Sequence, residues 1–164
     1  MKKLFLVRHA KSSWENFSVA DRDRPLNARG KQDAPEMAKR LLDKKIRIDA
    51  FVTSPAKRAK KTCKIFCKEF EHKEADILEV GKLYEASTET FFQVVSELDS
   101  NANCVAIFSH NPGITDFANM LCEHVKIDNM PTCGIFAVEC HIKTWNEFGD
   151  SKKTFLFFDY PKSS

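Results

Sequence analysis

Two short, wholly apolar runs, at residues 4–7 and 104–108, place the strongest limit on how this chain can fold. Polar residues bound both runs, and strands of this kind suit a sheet that is covered on both faces. Residues 50–53 form a weaker run of the same kind. We therefore expect three buried strands that need packing partners above and below their sheet.

Four further segments carry apolar residues at three- and four-residue intervals, which gives each of them the single apolar stripe of an amphipathic helix. The stripes consist of Ala34, Ala38, Leu41 and Leu42; Ala59, Cys63, Phe66, Cys67 and Phe70; Phe91, Phe92, Val95 and Leu98; and Ile114, Phe117, Ala118, Leu121 and Cys122. Because these segments alternate with the strands, the sequence predicts an α/β fold with a largely parallel sheet.

The C-terminal part has a different pattern. Apolar residues occupy every second position from 136 to 142, with Glu139 and His141 between them, which predicts a strand buried on one face. A second apolar run at 155–158 follows a stretch that can turn, so we expect an antiparallel pair at an edge of the sheet. Residues 10–25 have no periodicity and carry several charges, which predicts a long loop over the sheet.

The length and composition narrow the function classes. A chain of 164 residues predicts a single domain over 1–164, and a net charge of +3 is too small to indicate a nucleic-acid or membrane partner. Arg8 ends the first apolar run too early for a secretory signal, and no run approaches the ~20 residues of a membrane span. We therefore expect a cytoplasmic protein, and we also expect a monomer. The six cysteines lack metal-ligand spacing, so we expect reduced thiols, no metal and no cofactor.

Polar residues follow three of the predicted strands at the point where each strand ends. Arg8 and His9 end the first, residues 54–55 follow the second, and residues 109–113 follow the third. Arg58 lies one turn into the helix after the second strand. Ligands of open α/β sheets bind at the carboxyl ends of the strands, so two histidines and two arginines are expected to meet there.

This set of residues suits phosphoryl transfer. Two guanidiniums can bind a phosphoryl group, and their charge disfavours protonation of a nearby imidazole, which leaves a nitrogen able to attack phosphorus. His9 would be the nucleophile. Arg8, Arg58 and His110 would stabilise the charge of the transition state in the way that Mg²⁺ does elsewhere, so the reaction needs no metal.

Residues 57–64 include five positively charged side chains in eight positions. A run of this kind is most often a solvated helix face, and only Arg58 needs to turn inward for the predicted site. The remaining lysines could steer phosphate or an acidic partner.

Four segments resemble the histidine phosphatase superfamily, and most closely its SixA-like phosphohistidine phosphatase branch. They are LVRHA at 6–10, RPLNARG at 24–30, SPAKRAKKT at 54–62 and SHNPG at 109–113, in that order. The resemblance implies a three-layer α/β/α sandwich with a mainly parallel central sheet. It also implies a phosphohistidine intermediate on His9, a phosphate pocket completed by Arg8, Arg58 and His110, and substrate contacts from Asn111.

The chain departs from the superfamily pattern in the loop after the first strand. Ala10 stands where the superfamily usually has Gly. Larger members hold phosphate with an Asn from this loop; here Glu15 stands at that position, and we assign the role to its neighbour Asn16. Glu85, just before a predicted helix, is the carboxylate best placed to be the general acid.

The sequence therefore predicts a phosphatase that removes a phosphoryl group from phosphohistidine on a protein of the histidine-transfer type. The short stretch between Thr62 and Ser109 leaves little room for a covering insertion, which predicts an open, shallow site. Two alternatives stay open: a small-molecule phosphomonoesterase of the same superfamily, and a non-catalytic phosphoprotein-binding module. The two histidines argue against the second, since a pure binder needs arginines but no nucleophile.

Overall fold

A computed structural model describes residues 1–163 and contains one six-stranded sheet with four α-helices. The strands are β1 (Lys2–Arg8), β2 (Ala50–Thr53), β3 (Leu78–Glu79), β4 (Cys104–Ser109), β5 (Ile135–Cys140) and β6 (Thr154–Asp159). The helices are α1 (Ala28–Asp43), α2 (Lys57–Glu69), α3 (Thr88–Ser96) and α4 (Gly113–Leu121). The strand order is β3-β2-β4-β1-β5-β6, parallel from β3 to β1, with β5 antiparallel to both of its neighbours. The predicted α/β fold and its antiparallel edge are thus confirmed.

The sheet is the middle layer of a three-layer sandwich because alternate side chains of its strands enter two separate cores. Leu4 and Leu6 of β1 pack with apolar residues of α3 and α4. Phe5 and Val7 pack on the opposite face with residues of α1 and α2. All four side chains are buried, which explains why an interior strand reads as a continuous apolar run rather than an alternating one.

The prediction that the strand near residue 136 is buried on one face was wrong. Ile135 and Ala137 of β5 are fully buried against the α1 and α2 side, while Phe136 and Val138 enter the other core. The four residues 135–138 are all apolar, which is the same signal that marks β1. The exposed strands are the two at the edges of the sheet: β6 is partly exposed and β3 is exposed, and each has a neighbour on one side only.

The predicted loop after β1 runs back across the edge of the sheet to α1 and is held there by backbone contacts. Asn27 N–H donates to Lys11 O at 2.9 Å, and Asn27 Oδ1 caps α1 by accepting from Gly30 N–H at 2.9 Å. A Cβ on Gly30 would lie 2.2 Å from Lys11 O, so any larger residue would push the loop away. The loop includes a short 3₁₀ turn, Asp21–Asp23, above the strand ends.

All six cysteines are free thiols, and five of them are buried. Cys63 and Cys67 line the inner face of α2, and burial raises the pKa of both thiols. Between residues 1 and 163, no helix is both long and apolar enough to cross a membrane.

Candidate active site

The ends of β1 and β4 bring two imidazoles together. The strands are parallel neighbours with Arg8 opposite Ser109, so His9 and His110 follow them side by side. His9 N–H continues the ladder by donating to Ser109 O at 3.1 Å, and the two imidazole centroids are 5.1 Å apart. Both side chains are almost entirely buried, His9 with 5% and His110 with 7% of its surface exposed.

His9 is held as a neutral imidazole with one nitrogen available for attack. Its Nδ1 is 2.7 Å from Ala10 O, a contact that requires the proton on Nδ1 and leaves the lone pair on Nε2. Arg58 Nε donates a hydrogen bond to that lone pair at 3.3 Å, and this bond must open before Nε2 can attack. Burial lowers the pKa of His9 to about 3; the bond to Ala10 opposes the shift, and the charges of His110, Arg58 and Arg8 add to it. His9 therefore stays unprotonated at neutral pH.

The segment after His9 is tied directly to α2. Thr62 Oγ1 accepts from Ala10 N–H at 3.0 Å and donates to Arg58 O at 2.8 Å, one helical turn earlier. This one hydroxyl links the backbone beside the imidazole to the backbone of the arginine, so the distance between the two side chains is set by the α2 helix rather than by a mobile loop.

His110 is oriented by Ser54, the residue that follows β2. Ser54 Oγ lies 2.7 Å from His110 Nε2 and accepts from Ala56 N–H at 3.1 Å. The hydroxyl proton is then free to be donated to Nε2, which puts the imidazole proton on Nδ1. That Nδ1 is buried and has no partner among residues 1–163. Burial, followed by the charge of Arg58, lowers the pKa of His110 to about 4, so it too is neutral near pH 7.

Arg58 reaches three groups from α2. Besides its contact with His9, Nη1 donates to Asp21 O at 2.6 Å and Nη2 to Asp21 Oδ2 at 3.0 Å. Arg8 Nη1 donates to Met130 O at 3.0 Å, while its Nε is buried and lacks a partner in the described part of the chain. Burial lowers the pKa of Arg8, and the charge of Arg58 lowers it further. The two guanidiniums are therefore close enough for their charges to act on each other.

The structure adds Arg24, Asp21 and Tyr84 to the site, none of which the sequence reasoning singled out. Arg24 has 7% of its surface exposed and stacks on Trp14, with its guanidinium carbon 3.4 Å from the ring centroid. Its Nε is 3.3 Å from Asp21 Oδ1, an ion-pair distance without hydrogen-bond geometry, and its Nη1 is unpartnered within residues 1–163. Arg24 lies in the RPLNARG segment, so its place in that motif was the sequence signal that could have identified it as a site residue.

Asp21 places a carboxylate against two of the arginines. Tyr84 Oη donates to Asp21 Oδ2 at 2.6 Å, and this bond, with a further contribution from Arg58, lowers the pKa of Asp21. The same bond raises the pKa of Tyr84 to about 12. Asp21 is therefore an anion at neutral pH, and its contacts demonstrate that the arginines already hold one oxyanion. Nothing in the local sequence distinguishes Asp21 from the other loop acids.

Three of the predicted site residues lie apart from the buried cluster of histidines and arginines. Asn16 is exposed on the loop, and its Oδ1 accepts from the N–H and the hydroxyl of Ser18, so its side chain is not part of the site. Asn111 borders the cleft, but Nδ2 donates to Asn129 Oδ1 and Met130 O, and Oδ1 accepts from Thr115. Its side chain thus braces the loop after β4 instead of facing a substrate. Glu85 is exposed at the rim, with a φ of 55°.

The resulting cleft has a volume of about 620 Å³ and opens to solvent. Its walls include Asp21, Arg58, Tyr84, Glu85 and His110. Gly113 permits this shape, because a Cβ there would lie 2.1 Å from the backbone oxygen of Ala86, beside Glu85. No three His, Cys, Asp or Glu side chains of residues 1–163 come together as a metal site would require.

The buried neutral histidines predict that acid weakens the fold. Between pH 6.5 and about 4 the unfolded chain takes up protons on His9 and His110 that the folded chain does not, so the free energy of unfolding falls as the pH falls. Replacing His110 with Asn removes one such group. From about pH 7 to about pH 5, wild type should lose about 2 kcal/mol more than His110→Asn in urea unfolding without phosphate. Equal losses would contradict the buried neutral state.

The sequence of this chain matches a family profile and one known protein, and its fold matches solved structures. Residues 4–91 match the family profile described as histidine phosphatase superfamily, branch 1. An uncharacterized chloroplastic protein of Arabidopsis thaliana is 26% identical over 155 residues, which cover 89% of this chain and 70% of the relative. The protein histidine phosphatase SixA complexed with tungstate has a TM-score of 0.82 at 20% identity, with 97% of each chain covered.

A second solved structure shares the fold at lower similarity. It is a mycobacterial glucosyl-3-phosphoglycerate phosphatase in complex with VO3, with a TM-score of 0.75 and 12% identity. The alignment covers 98% of this chain and 100% of that one.

Proposed function

The chain belongs to the histidine phosphatase superfamily and is a phosphatase, and from this premise we propose that it hydrolyses phosphohistidine on a protein through an intermediate on His9. A metal-independent reaction in a monomeric, cytoplasmic protein is part of the proposal. Three of the solved structures that share the fold are described as protein histidine or phosphohistidine phosphatases, which supports this substrate class.

One observation carries the proposal: an unprotonated imidazole nitrogen stands beside buried N–H groups that have no acceptor within residues 1–163. The nitrogen is His9 Nε2, and the unpartnered atoms include Arg8 Nε, Arg24 Nη1 and His110 Nδ1. A buried donor without an acceptor costs about 1–3 kcal/mol, so three in one region call for a ligand rich in acceptor oxygens. A phosphoryl group supplies three.

In the proposed reaction, His9 Nε2 attacks phosphorus while the phosphorus–nitrogen bond of the substrate breaks on the opposite side. Arg8, Arg58 and His110 stabilise the charge that gathers on the equatorial oxygens. The bonding electrons leave with the substrate imidazole, which takes up a proton, and a water molecule then attacks the phosphohistidine at position 9. Inorganic phosphate departs and His9 is free again.

Phosphate must compete with Asp21 for Arg58. Both terminal nitrogens of this guanidinium are bonded to Asp21, one to its backbone oxygen and one to its carboxylate. A phosphoryl group carries more charge and more acceptors than the carboxylate, so it can displace that contact. The exposed turn that holds Asp21 would move outward as the substrate enters.

A small-molecule phosphoesterase remains the second candidate because a carboxylate, Glu85, borders the cleft with His110. An alkoxide is a poor leaving group and needs a proton in the transition state, so ester hydrolysis depends on a general acid. The mycobacterial structure with the same fold is described as a glucosyl-3-phosphoglycerate phosphatase, which acts on a small phosphoester.

Replacing Glu85 with Gln tests the two candidates. Ester hydrolysis should fall by about 10²–10⁴-fold if Glu85 supplies the proton, whereas hydrolysis of phosphohistidine should fall only modestly, since its imidazole leaving group is far less basic. Turnover is measured on a phosphorylated histidine-transfer domain and on a panel of small phosphoesters. Glu89→Gln, on the exposed side of the next helix, is the matched control.

Each outcome of this experiment has a definite meaning. A wild-type enzyme that turns over esters much faster than phosphohistidine contradicts the proposed substrate. Small, equal losses on both substrates would make Glu85 structural, and large, equal losses would give it a part in positioning water or His9. The assays contain EDTA, and activity that required an added divalent ion would contradict the metal-free reaction.

A further inference from the structure

A second cleft, of about 510 Å³, lies next to the active site and is lined mainly by lysines. We call it the lysine cleft; its walls are Lys31, Lys57, Lys60, Lys61 and Lys64, with Asp23, Pro25, Leu26 and Pro55 between them. Four of the lysines occupy positions i, i+3, i+4 and i+7 of α2 and so share one helix face about 10 Å long. Lys31 faces them from α1.

Most of this charge is not neutralised by the protein. Lys60 pairs with Glu79 at 3.4 Å and Lys64 with Glu74 at 3.2 Å. Lys31, Lys57 and Lys61 are exposed and have no carboxylate within 4.0 Å in the described part of the chain. Three ammonium groups that line one cleft repel one another, and a ligand with several negative charges would relieve that repulsion.

The direction of α2 adds to the positive potential. Lys57 and Arg58 stand in the first turn of the helix, which contains no acidic residue. The first turn is the positive end of the helix dipole and favours anions, so cations there are electrostatically unfavourable without an anionic partner. Arg58 obtains one from Asp21, but Lys57 does not.

The lysine cleft and the active-site cleft are neighbours across one short turn. Within Asp21–Asp23, the first residue lines the active site and the last lines the lysine cleft. Lys57 precedes Arg58 on α2, and Pro25 follows Arg24 in the loop. A macromolecule that delivers a phosphoryl group to His9 would therefore cover the lysine cleft as well, whereas a free phosphorylated amino acid would reach only the active site.

We propose that the lysine cleft docks an acidic segment of the phosphoprotein substrate, next to the phosphohistidine that enters the active site; this inference rests on the proposed function. The lysines then select substrates by the charge that surrounds the phosphorylated side chain. A protein fits the cleft better than a nucleic acid, because single-stranded nucleic acids stack their bases on aromatic side chains and none of the lining residues is aromatic.

Neutralising the three unpaired lysines tests the proposal. The variant Lys31→Gln, Lys57→Gln, Lys61→Gln should lose about tenfold or more in kcat/KM on an acidic phosphorylated histidine-transfer domain at about 0.05 M salt, and much less at about 0.5 M. Its kcat/KM on free phosphohistidine should stay within about twofold of wild type. The control neutralises three exposed lysines outside the cleft, Lys39, Lys143 and Lys152, and should behave like wild type.

A binding measurement separates failure of the docking proposal from failure of the proposed function. The unphosphorylated transfer domain is titrated onto wild type and onto the triple variant, and binding should weaken about tenfold in the variant. If wild type hydrolyses neither phosphohistidine substrate while binding still weakens, the proposed function fails and the docking surface stands.

Three results would overturn the docking proposal. Equal losses on the protein and on free phosphohistidine would mean that the substitutions act on the active site. Unchanged activity and binding would mean that the lysines are only a solvated face. Tighter binding of a single-stranded RNA oligonucleotide than of the transfer domain, lost in the triple variant, would assign the cleft to nucleic acid.

Discussion

Replacing His9 with alanine should abolish turnover, a loss on the order of 10⁴-fold or more, while phosphate or vanadate still binds. The imidazole supplies an unprotonated nitrogen at 3.3 Å from Arg58 Nε. In the proposed reaction this nitrogen forms the covalent intermediate, so the substitution removes the nucleophile. The guanidiniums of Arg8 and Arg58, which we propose hold the oxyanion, remain.

The measurement combines rate, binding and labelling. Brief exposure of wild type to a substrate labelled in its phosphoryl group should leave the label on His9, and the alanine variant should carry none. His124→Ala is the matched control, because His124 is a solvent-exposed imidazole outside the site motifs. Turnover close to wild type in the His9 variant would remove the nucleophile assignment.

Replacing Arg58 with alanine should lower kcat/KM by on the order of 10²-fold or more, because it removes a charge-assisted contact that strengthens in the transition state. Arg8→Ala should have a loss of the same order. Arg58→Lys should recover only part of the activity, since an ammonium group cannot form the two parallel bonds of a guanidinium. The readouts are kcat, KM and vanadate affinity on the smallest substrate that is turned over.

The Arg58 experiment needs controls for the fold and for charge alone. Arg58 also anchors the turn that contains Asp21, so thermal unfolding is measured beside the kinetics. Lys68→Ala removes a positive charge from the exposed face of the same helix and should leave kcat/KM unchanged. Losses below tenfold for both Arg8 and Arg58 would mean that the phosphate pocket lies elsewhere.

The order of strands and helices follows from the spacing of apolar residues, because buried strands and amphipathic helices space them differently; the three-layer arrangement is implied only by the family resemblance. At β5 the same kind of pattern is ambiguous. The alternation from 136 to 142 predicts one exposed face, the apolar run 135–138 predicts none, and only packing against α1 and α2 decides that Ile135 and Ala137 have no exposed face.

The positions of the residues in the loop after β1 could not be predicted from the sequence, for a different reason. No local pattern determines where a loop residue lies, since its position depends on contacts with distant segments such as the bond from Tyr84 to Asp21. The family resemblance predicts Asn16 in the site, as the neighbour of the position where larger members have an Asn, but its side chain bonds to Ser18 instead. Arg24 was inside a quoted motif, yet its burial next to Asp21 is visible only in three dimensions.

Residue type and spacing are enough to place His9 and His110 after two buried strands and Arg58 near the start of the helix after a third, because they locate the ends of parallel strands. The electrostatics of the site depend on the folded structure: the burial and neutral state of the two histidines, the ion pair of Asp21 with Arg58, and the absence of a carboxylate beside Lys57 in the described part of the chain. Burial and pairing depend on contacts between residues far apart in the chain, whereas periodicity depends only on residues close together in it.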